Sequence, residues 1–423
     1  MKKQILLLLF FLPISSLLKA QIIIEDSIFT TTLDLVGSGY NNAIIRNCTF
    51  KNTILSDGLR IANANNVTID SCIFYNIQGN GIRLHSSGSS DGVIIKNCSF
   101  DSIYGNGILS AEQHSNTQIL NNSFNWIGLD TQSAAQGAPH HGIYFIGDNY
   151  IIAGNRIRNI YNNDGNCVSV RSNGIVRNNV LYNATKNGIS YFSDHPNVGN
   201  SLLVENNIVY NCQRGVTVAD GGEAYVDTTI IRFNTLITQD LMDISIGSGL
   251  SMVNKIYGNV LIRKDGSPLY IFANSPYDST RNLLSDGDVG FVNYANNDYH
   301  ITNSSPAYSF ATGLTDFPLD DIDSDARGSS RLDAGADQFF VAFSTELSDF
   351  KPFTIYPNPS NTEINIELKT VVPFTIEIFD LFGKVLIIEN NQKKIDISKL
   401  KTGIYTISVK QGQSCYQQKL LKQ

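Results

Sequence analysis

The chain has little of what usually announces chemistry. In 423 residues there are one tryptophan, six histidines and six cysteines. No Cys-x-x-Cys pair and no Cys/His pairing occurs, which excludes zinc-finger and thiol-redox classes. No phosphate-binding loop and no Ser/His/Asp order is present. Helical periodicity is nearly absent beyond residue 20, and no later segment is apolar and long enough to cross a bilayer. Positive charge is also short. The formal charge is −7. With the +3 of residues 1–20 and the +2 of residues 345–423 set aside, residues 21–344 hold −12. A domain that acidic excludes nucleic acid as a partner and leaves any anionic ligand to local arginines.

What the chain does have begins with an address. Residues 1–20, MKKQILLLLFFLPISSLLKA, place two lysines before an apolar run that ends at Ala20. This predicts a cleaved secretory signal peptide. No cysteine follows the cleavage point, so a lipoprotein is not expected. No membrane span remains after cleavage, and the mature protein is expected to be a monomer.

The strongest signal is internal repetition. One unit reads RNCTF (46–50), DSCIF (70–74), KNCSF (96–100) and LNNSF (120–124), then loosens. Its marker residues are Cys48, Cys72, Cys98, Asn122, Asn155, Asn179, Asn207, Asn234, Asn259 and Asn282. A second unit runs in phase: DGLRI (57–61), NGIRL (80–84), NGILS (106–110), HGIYF (141–145), NCVSV (166–170), NGISY (187–191) and RGVTV (214–218). Each alternates with period two, as a strand with one buried face does. A step near 25 residues predicts an all-β solenoid with one turn of chain per rung. Like residues then stack at the strand spacing of about 4.8 Å. Phe50, Phe74, Phe100 and Phe124 form a buried aromatic column, continued by Ile157, Leu181, Val209 and Leu236. Cys48, Cys72 and Cys98 read as a ladder of thiols, since three in a row cannot all pair.

This pattern resembles the right-handed parallel β-helix proteins of the pectate-lyase-like superfamily, over residues 21–310. The handedness comes from the resemblance. Residues 311–343 read as a terminal cap and linker, and DIDSDARGSSRLDAGADQF (321–339) is similar to the terminal segment of secreted members. Asp321, Asp323 and Asp325 mimic the start of an EF-hand loop, but Ala326 stands where glycine is needed and no glutamate occupies the twelfth place. From residue 344 asparagine falls and the strands lengthen. IYPNPSNTEINIEL (355–368), FTIEIFDLFGKVLI (374–387) and IDISKLKTGIYTISVK (395–410) predict a small antiparallel sandwich. They resemble the type A sorting domain of the type IX secretion system, here residues 344–423. That resemblance implies engagement with the secretion machinery, and a secreted or outer-surface location.

The alternation also assigns faces. With Ile82, Ile108, Ile143, Val168, Ile189 and Val216 inward, Arg60, Arg83, Leu109, Tyr144, Ser169, Ser190 and Thr217 form an outward column. Two residues on come His85, Arg171 and Phe192, and the following turns hold His114, Asp194, His195 and Asp220. His141 aligns with Asn80, Asn106, Asn166 and Asn187, so it is either a ladder substitute or an active group. His140 has no counterpart in other rungs. About eight extra residues fall between Trp126 and Pro139; long loops in compact repeats often carry function. Trp126 either stacks on a sugar or fills the core.

The superfamily resemblance implies action on an acidic polysaccharide, by β-elimination or C5 epimerisation. That chemistry needs a cation beside the uronate carboxylate, a base for the C5 proton and an acid for the leaving oxygen. Arg171 or Arg83 could neutralise, with calcium as the alternative cation. His141 or His195 could take the proton, and Tyr144 could protonate the leaving oxygen. Arg83, His85, His114, Trp126, His140, Asp194 and Asp220 are candidates for holding substrate. The stretch PHHG (139–142) is similar to the His-bearing motif of mannuronan epimerases. The WIDH motif of lyases and the NTD, DD and GHG set of polygalacturonases are missing. A different hydrolase would need paired carboxylates about 5–9 Å apart, for which Asp194 and Asp220 are the candidates. The other reading is a surface protein that binds glycan without chemistry.

Overall fold

The computed structural model describes residues 21–340 and 353–423, apart from 131, 133–136, 193–200, 220–227, 239–241, 248–252, 264–269, 369–372, 380–384 and 412–413. It divides into two compact units, Met1–Phe340 and Val341–Gln423.

Each repeat of the first unit lays down three short strands, one on each side of a coil. Gln118–Leu120, Ser123–Ile127 and Ile143–Phe145 are one such turn. Among the described residues, like strands form two parallel sheets of eleven strands (sheets 1 and 2) and one of ten (sheet 3). Sheet 1 begins with Ile23–Glu25, sheet 2 with Ile28–Phe29 and sheet 3 with Leu33–Val36. Register follows the repeat: Phe100 pairs with Phe74 below and Phe124 above. The solenoid expected from the spacing is therefore the fold.

Period two within each strand puts β-branched and aromatic residues inward and polar residues outward. Phe29, Phe50, Phe74, Phe100 and Phe124 stack with centroids 4.5–4.9 Å apart. Isolated rings prefer offset or edge contacts; here the rung spacing imposes face-to-face stacking. The column passes to Ile157, Leu181, Val209, Leu236 and Leu261. The phenyl rings also explain the glycine of the NGI unit. A Cβ on Gly81 or Gly107 would lie 2.7 Å from Phe100 or Phe124.

The turn from sheet 1 to sheet 2 uses two residues in different ways. The first takes a left-handed conformation, as at Asn121, Asn178 and Asn206, which asparagine tolerates better than most residues. The second turns its amide inward. From Asn122 to Asn282, each side-chain oxygen accepts the backbone N–H of the previous rung's marker, at 2.9–3.1 Å. The three rungs before these carry Cys48, Cys72 and Cys98 instead, which are buried free thiols.

Beyond the last rung the chain folds back along the side of the coil. Phe291, Tyr299, Ala307, Ala311 and Leu332 pack on Tyr182, Tyr210, Ile237 and Ile262, the outward side chains of sheet 2 in its later rungs. Arg327, 6% exposed, pins this cover. In the second unit, three strands (Phe353–Tyr356, Glu363–Leu368, Lys394–Asp396) and four (Thr375–Phe379, Val385–Asn390, Gly403–Gln411, Ser414–Lys422) form two antiparallel sheets.

Candidate functional site

Sheet 3 carries the column in the expected order, but only Arg60, Arg83, Leu109 and Tyr144 reach the surface, while Ser169, Ser190 and Thr217 are buried. Arg60, Arg83, Leu109, Tyr144, Ser169, Ser190 and Thr217 are successive partners across rungs. Arg83 and Tyr144 thus share one wall, with Leu109 between them. Arg171 follows Val168–Val170 and lays its guanidinium between two rings, 4.8 Å from the Tyr144 centroid and 4.8 Å from that of Phe192. Its Nη1 donates to Ser169 Oγ (3.0 Å) and to the Val170 carbonyl (3.1 Å). The sandwich fixes a cation on the wall and lends it the attraction of both π faces. Among the described residues, the cation this wall offers is Arg171.

Behind the wall runs a second amide ladder. Asp57 Oδ1 accepts from Asn80, Asn80 Oδ1 from Asn106, and Asn106 Oδ1 from the His141 N–H at 2.8 Å. His141 Nδ1 then accepts from the Asn166 N–H at 3.1 Å, and the series continues through Asn187 to Thr217. His141 is 3% exposed. The bond to Nδ1 places its proton on Nε2, and its ring meets Tyr144 edge-on at 5.1 Å. Burial, then the nearby Arg171 charge, push its pKa down to about 3. The unfolded chain, with an ordinary value of 6.5, takes up a proton that the fold refuses. Stability therefore falls as pH drops from 6.5 toward 3, with a slope of up to about 1.4 kcal/mol per pH unit from this residue. His141→Asn, the residue used in neighbouring rungs, is expected to keep the fold and flatten that acid limb. Urea denaturation across this pH range measures it; an unchanged limb would contradict the ladder assignment.

The other candidates scatter. His114 is fully buried; Nδ1 accepts the Ser90 N–H (3.1 Å) and Nε2 lies 3.2 Å from the His85 carbonyl, so its ring locks the turn after sheet 3. His85 sits at the edge of the face with Nδ1 on the Ser87 N–H. Arg83 reaches toward Asp57 at 3.9 Å. His140 faces Asp130 at 3.8 Å, and burial lowers its pKa. Asp194, His195 and Asp220 lie outside the described residues.

Trp126 is not on sheet 3. It ends on the corner between sheets 2 and 3, 45% exposed. Its φ of +54° is left-handed, as it is in the same column at Asn52, Asn76, Ser102, Asn159, Asn183 and Asn211. For a bulky side chain that conformation costs about 1–2 kcal/mol.

A carboxylate–histidine group was not anticipated. His300, Asp323 and Asp337 bring ligand atoms within 4.8 Å of one another. His300 Nε2 lies 2.9 Å from Asp323 and Nδ1 bonds Asp298, which raises its pKa to about 10. The imidazolium is itself the cation of this cluster. Asp321, the head of the EF-hand-like stretch, spends both oxygens on the N–H groups of Asp323, Asp325 and Gln338.

Two family models match the chain. One, a right-handed β-helix region, covers residues 14–128, and the other, a secretion system C-terminal sorting domain, covers residues 354–423. The chain is thus a right-handed parallel β-helix protein. It carries a C-terminal sorting domain and is exported, to the cell surface or the medium. No curated protein matches it. Among solved structures it is similar to pectate lyase Pel9A (14% identity, TM-score 0.47, 75% of this chain and 87% of that one). A complex of XylC with xylose gives 12% identity and a TM-score of 0.46. There 73% of this chain is covered, and the chain spans 65% of that protein's length. A glycoside hydrolase gives 13%, a TM-score of 0.31, and 55% and 38% coverage.

Proposed function

We propose that the protein acts on an acidic polysaccharide laid across the outer face of sheet 3, by β-elimination or by C5 epimerisation. Both begin with loss of the proton beside the uronate carboxylate. The observation that carries the reading is the contact of Tyr144 with Arg171 on the wall and with His141 behind it. Arg171 supports a uronate carboxylate and so lowers the cost of charge building at C5. Tyr144, beside that cation, gives its phenolic proton to the leaving oxygen. With His141 Nδ1 held by Asn166, proton removal falls to His195, which follows the Phe192 strand. His141 keeps the Tyr144 ring in place.

Elimination creates an unsaturated uronate whose ultraviolet absorbance reports turnover directly. On alginate, pectate or glycosaminoglycan, Tyr144→Phe is expected to lower that rate by about 100-fold or more with folding intact. His141→Asn is expected to retain most of it. Equal rates for Tyr144→Phe and the parent would contradict the assignment.

A second reading is glycan binding without chemistry. It is favoured by the way Arg171 and His141 are both engaged by their own scaffold. Binding with neither unsaturated product nor C5 exchange would select it.

A further inference from the structure

We propose that the corner between sheets 2 and 3 is a second carbohydrate subsite, built on Trp126 and Tyr161, which reads the sugar ring rather than its charge. It rests on the reading that the partner is a polysaccharide, but not on any chemistry at Tyr144. The first observation is the cost of the residue. From Asn52 to Asn211, the six other positions in its column are small polar residues in the left-handed conformation. Several are joined by amide bonds, Asn76 to Asn52 and Asn183 to Asn159. Trp126 breaks that ladder, and Asn159 turns to Asn125 instead. A strained aromatic that leaves 45% of its surface in water is not there to fill a core.

The second observation is what surrounds it. Tyr161, 54% exposed, faces Trp126 with centroids 6.4 Å apart and planes tilted by 57°. The two rings open as a V onto a cleft of about 520 Å³ lined also by Asn159, Ile160, Asn163, Asn183 and Thr185. Aromatic faces meet the C–H faces of a pyranose, and amides and a hydroxyl meet its hydroxyl groups. Among the described residues lining the cleft there is no charged side chain, so a carboxylate gains nothing there. The corner also adjoins the wall. A methyl group placed on Gly128 would lie 3.4 Å from the β-carbon of His140, three residues before the start of the Tyr144 strand. One glycan chain can therefore touch both.

Trp126 is the chain's only tryptophan, so fluorescence excited at the red edge, where tyrosine does not absorb, reports on this corner alone. The full chain is titrated with oligogalacturonate, its methyl ester, and xylo-, gluco- and manno-oligosaccharides. A saturable spectral shift is expected with at least one, and the methyl ester, which offers Arg171 no carboxylate, is expected to be among those that bind. Tyr161→Ala is expected to weaken that binding by about tenfold or more by calorimetry. Trp126→Asn is expected to weaken it equally while raising the melting temperature. No saturable shift with any oligomer, unchanged affinity in both variants, or a lower melting temperature for Trp126→Asn would each overturn the proposal. Turnover lost in Tyr144→Phe with the fluorescence titration intact upholds this subsite as separate. A flat titration in an enzyme that still turns over removes it alone.

Discussion

Arg327→Ala is expected to cost about 3–5 kcal/mol, the range for stripping one partner from a buried charged network. The side chain is 6% exposed, and its donors reach the carbonyls of Asp320, Asp333, Gly335 and Ala336, Gln338 Oε1 and Asn206 Oδ1 at 2.8–3.3 Å. Its guanidinium lies 4.9 Å from the centre of the Phe233 ring. Burial lowers its pKa to about 10, which still leaves it charged at neutral pH, with Asp321, Asp337, Asp333 and Asp320 as the surrounding carboxylates. Alanine would leave six acceptors without this donor and remove a positive charge from beside four acids. The loss should be local. The cover also bonds the coil through Ala336 N–H to Thr235 and Gly335 N–H to Gly258, and these contacts depend on the same fold-back. Hydrogen exchange should accelerate around Asn206–Gly258 and stay unchanged in the first rungs. Arg327→Lys, which keeps the charge but not the fork of donors, should fall between. A melting temperature unchanged in Arg327→Ala would refute the anchoring role.

Asn207→Ala is expected to cost about 3 kcal/mol or more, from several buried groups losing partners at about 1–3 kcal/mol each. The Asn207 Nδ2 donates to the carbonyls of Val176 and Glu205 and to Asn234 Oδ1. Its Oδ1 accepts from both the backbone and the side chain of Asn179. The residue is fully buried, so water cannot replace what is lost. Asp at the same position keeps the acceptor but loses both donor hydrogens and buries a charge, so Asn207→Asp should be at least as damaging. Denaturant titration measures both variants. A loss under about 1 kcal/mol for alanine would mean that rung stacking, not the amide ladder, holds the coil.

Much of this was legible because a stacked coil converts spacing into position. Marker residues 23 to 33 apart had to lie over one another, and Asn122, Asn155 and Asn179 do. The column from Arg60 to Thr217 and the column led by Phe50 follow from the same register and period-two alternation. What did not follow was where long side chains end. The repeat fixes the direction of Cβ, not the path of a guanidinium. Arg171 could be placed on the face, but its sandwich between Tyr144 and Phe192 depends on packing that the spacing does not encode. His141 had two readings in the sequence, ladder or active group, and its hydrogen bonds put it in the ladder. Trp126 had two readings in the sequence, a sugar platform or core filler; its left-handed backbone leaves it exposed at the corner between sheets 2 and 3. Arg327 meets Asn206 across 121 residues, and no local pattern announces such a pair. His300 was passed over in the sequence for the same reason, since Asp323 reaches it from the segment that folds back along the coil.

The claim on which the function rests is that the Tyr144–Arg171 wall activates the C5 proton of a uronate. Elimination and epimerisation share that step, so one measurement covers both: incorporation of deuterium at C5, or loss of the C5 proton with formation of unsaturated product, when the full chain meets uronate polymers in D₂O. The account predicts turnover with at least one polymer, and a fall of about 100-fold or more in Tyr144→Phe. Undisturbed C5 protons with every uronate polymer, in a protein that is folded and binds them, would contradict it.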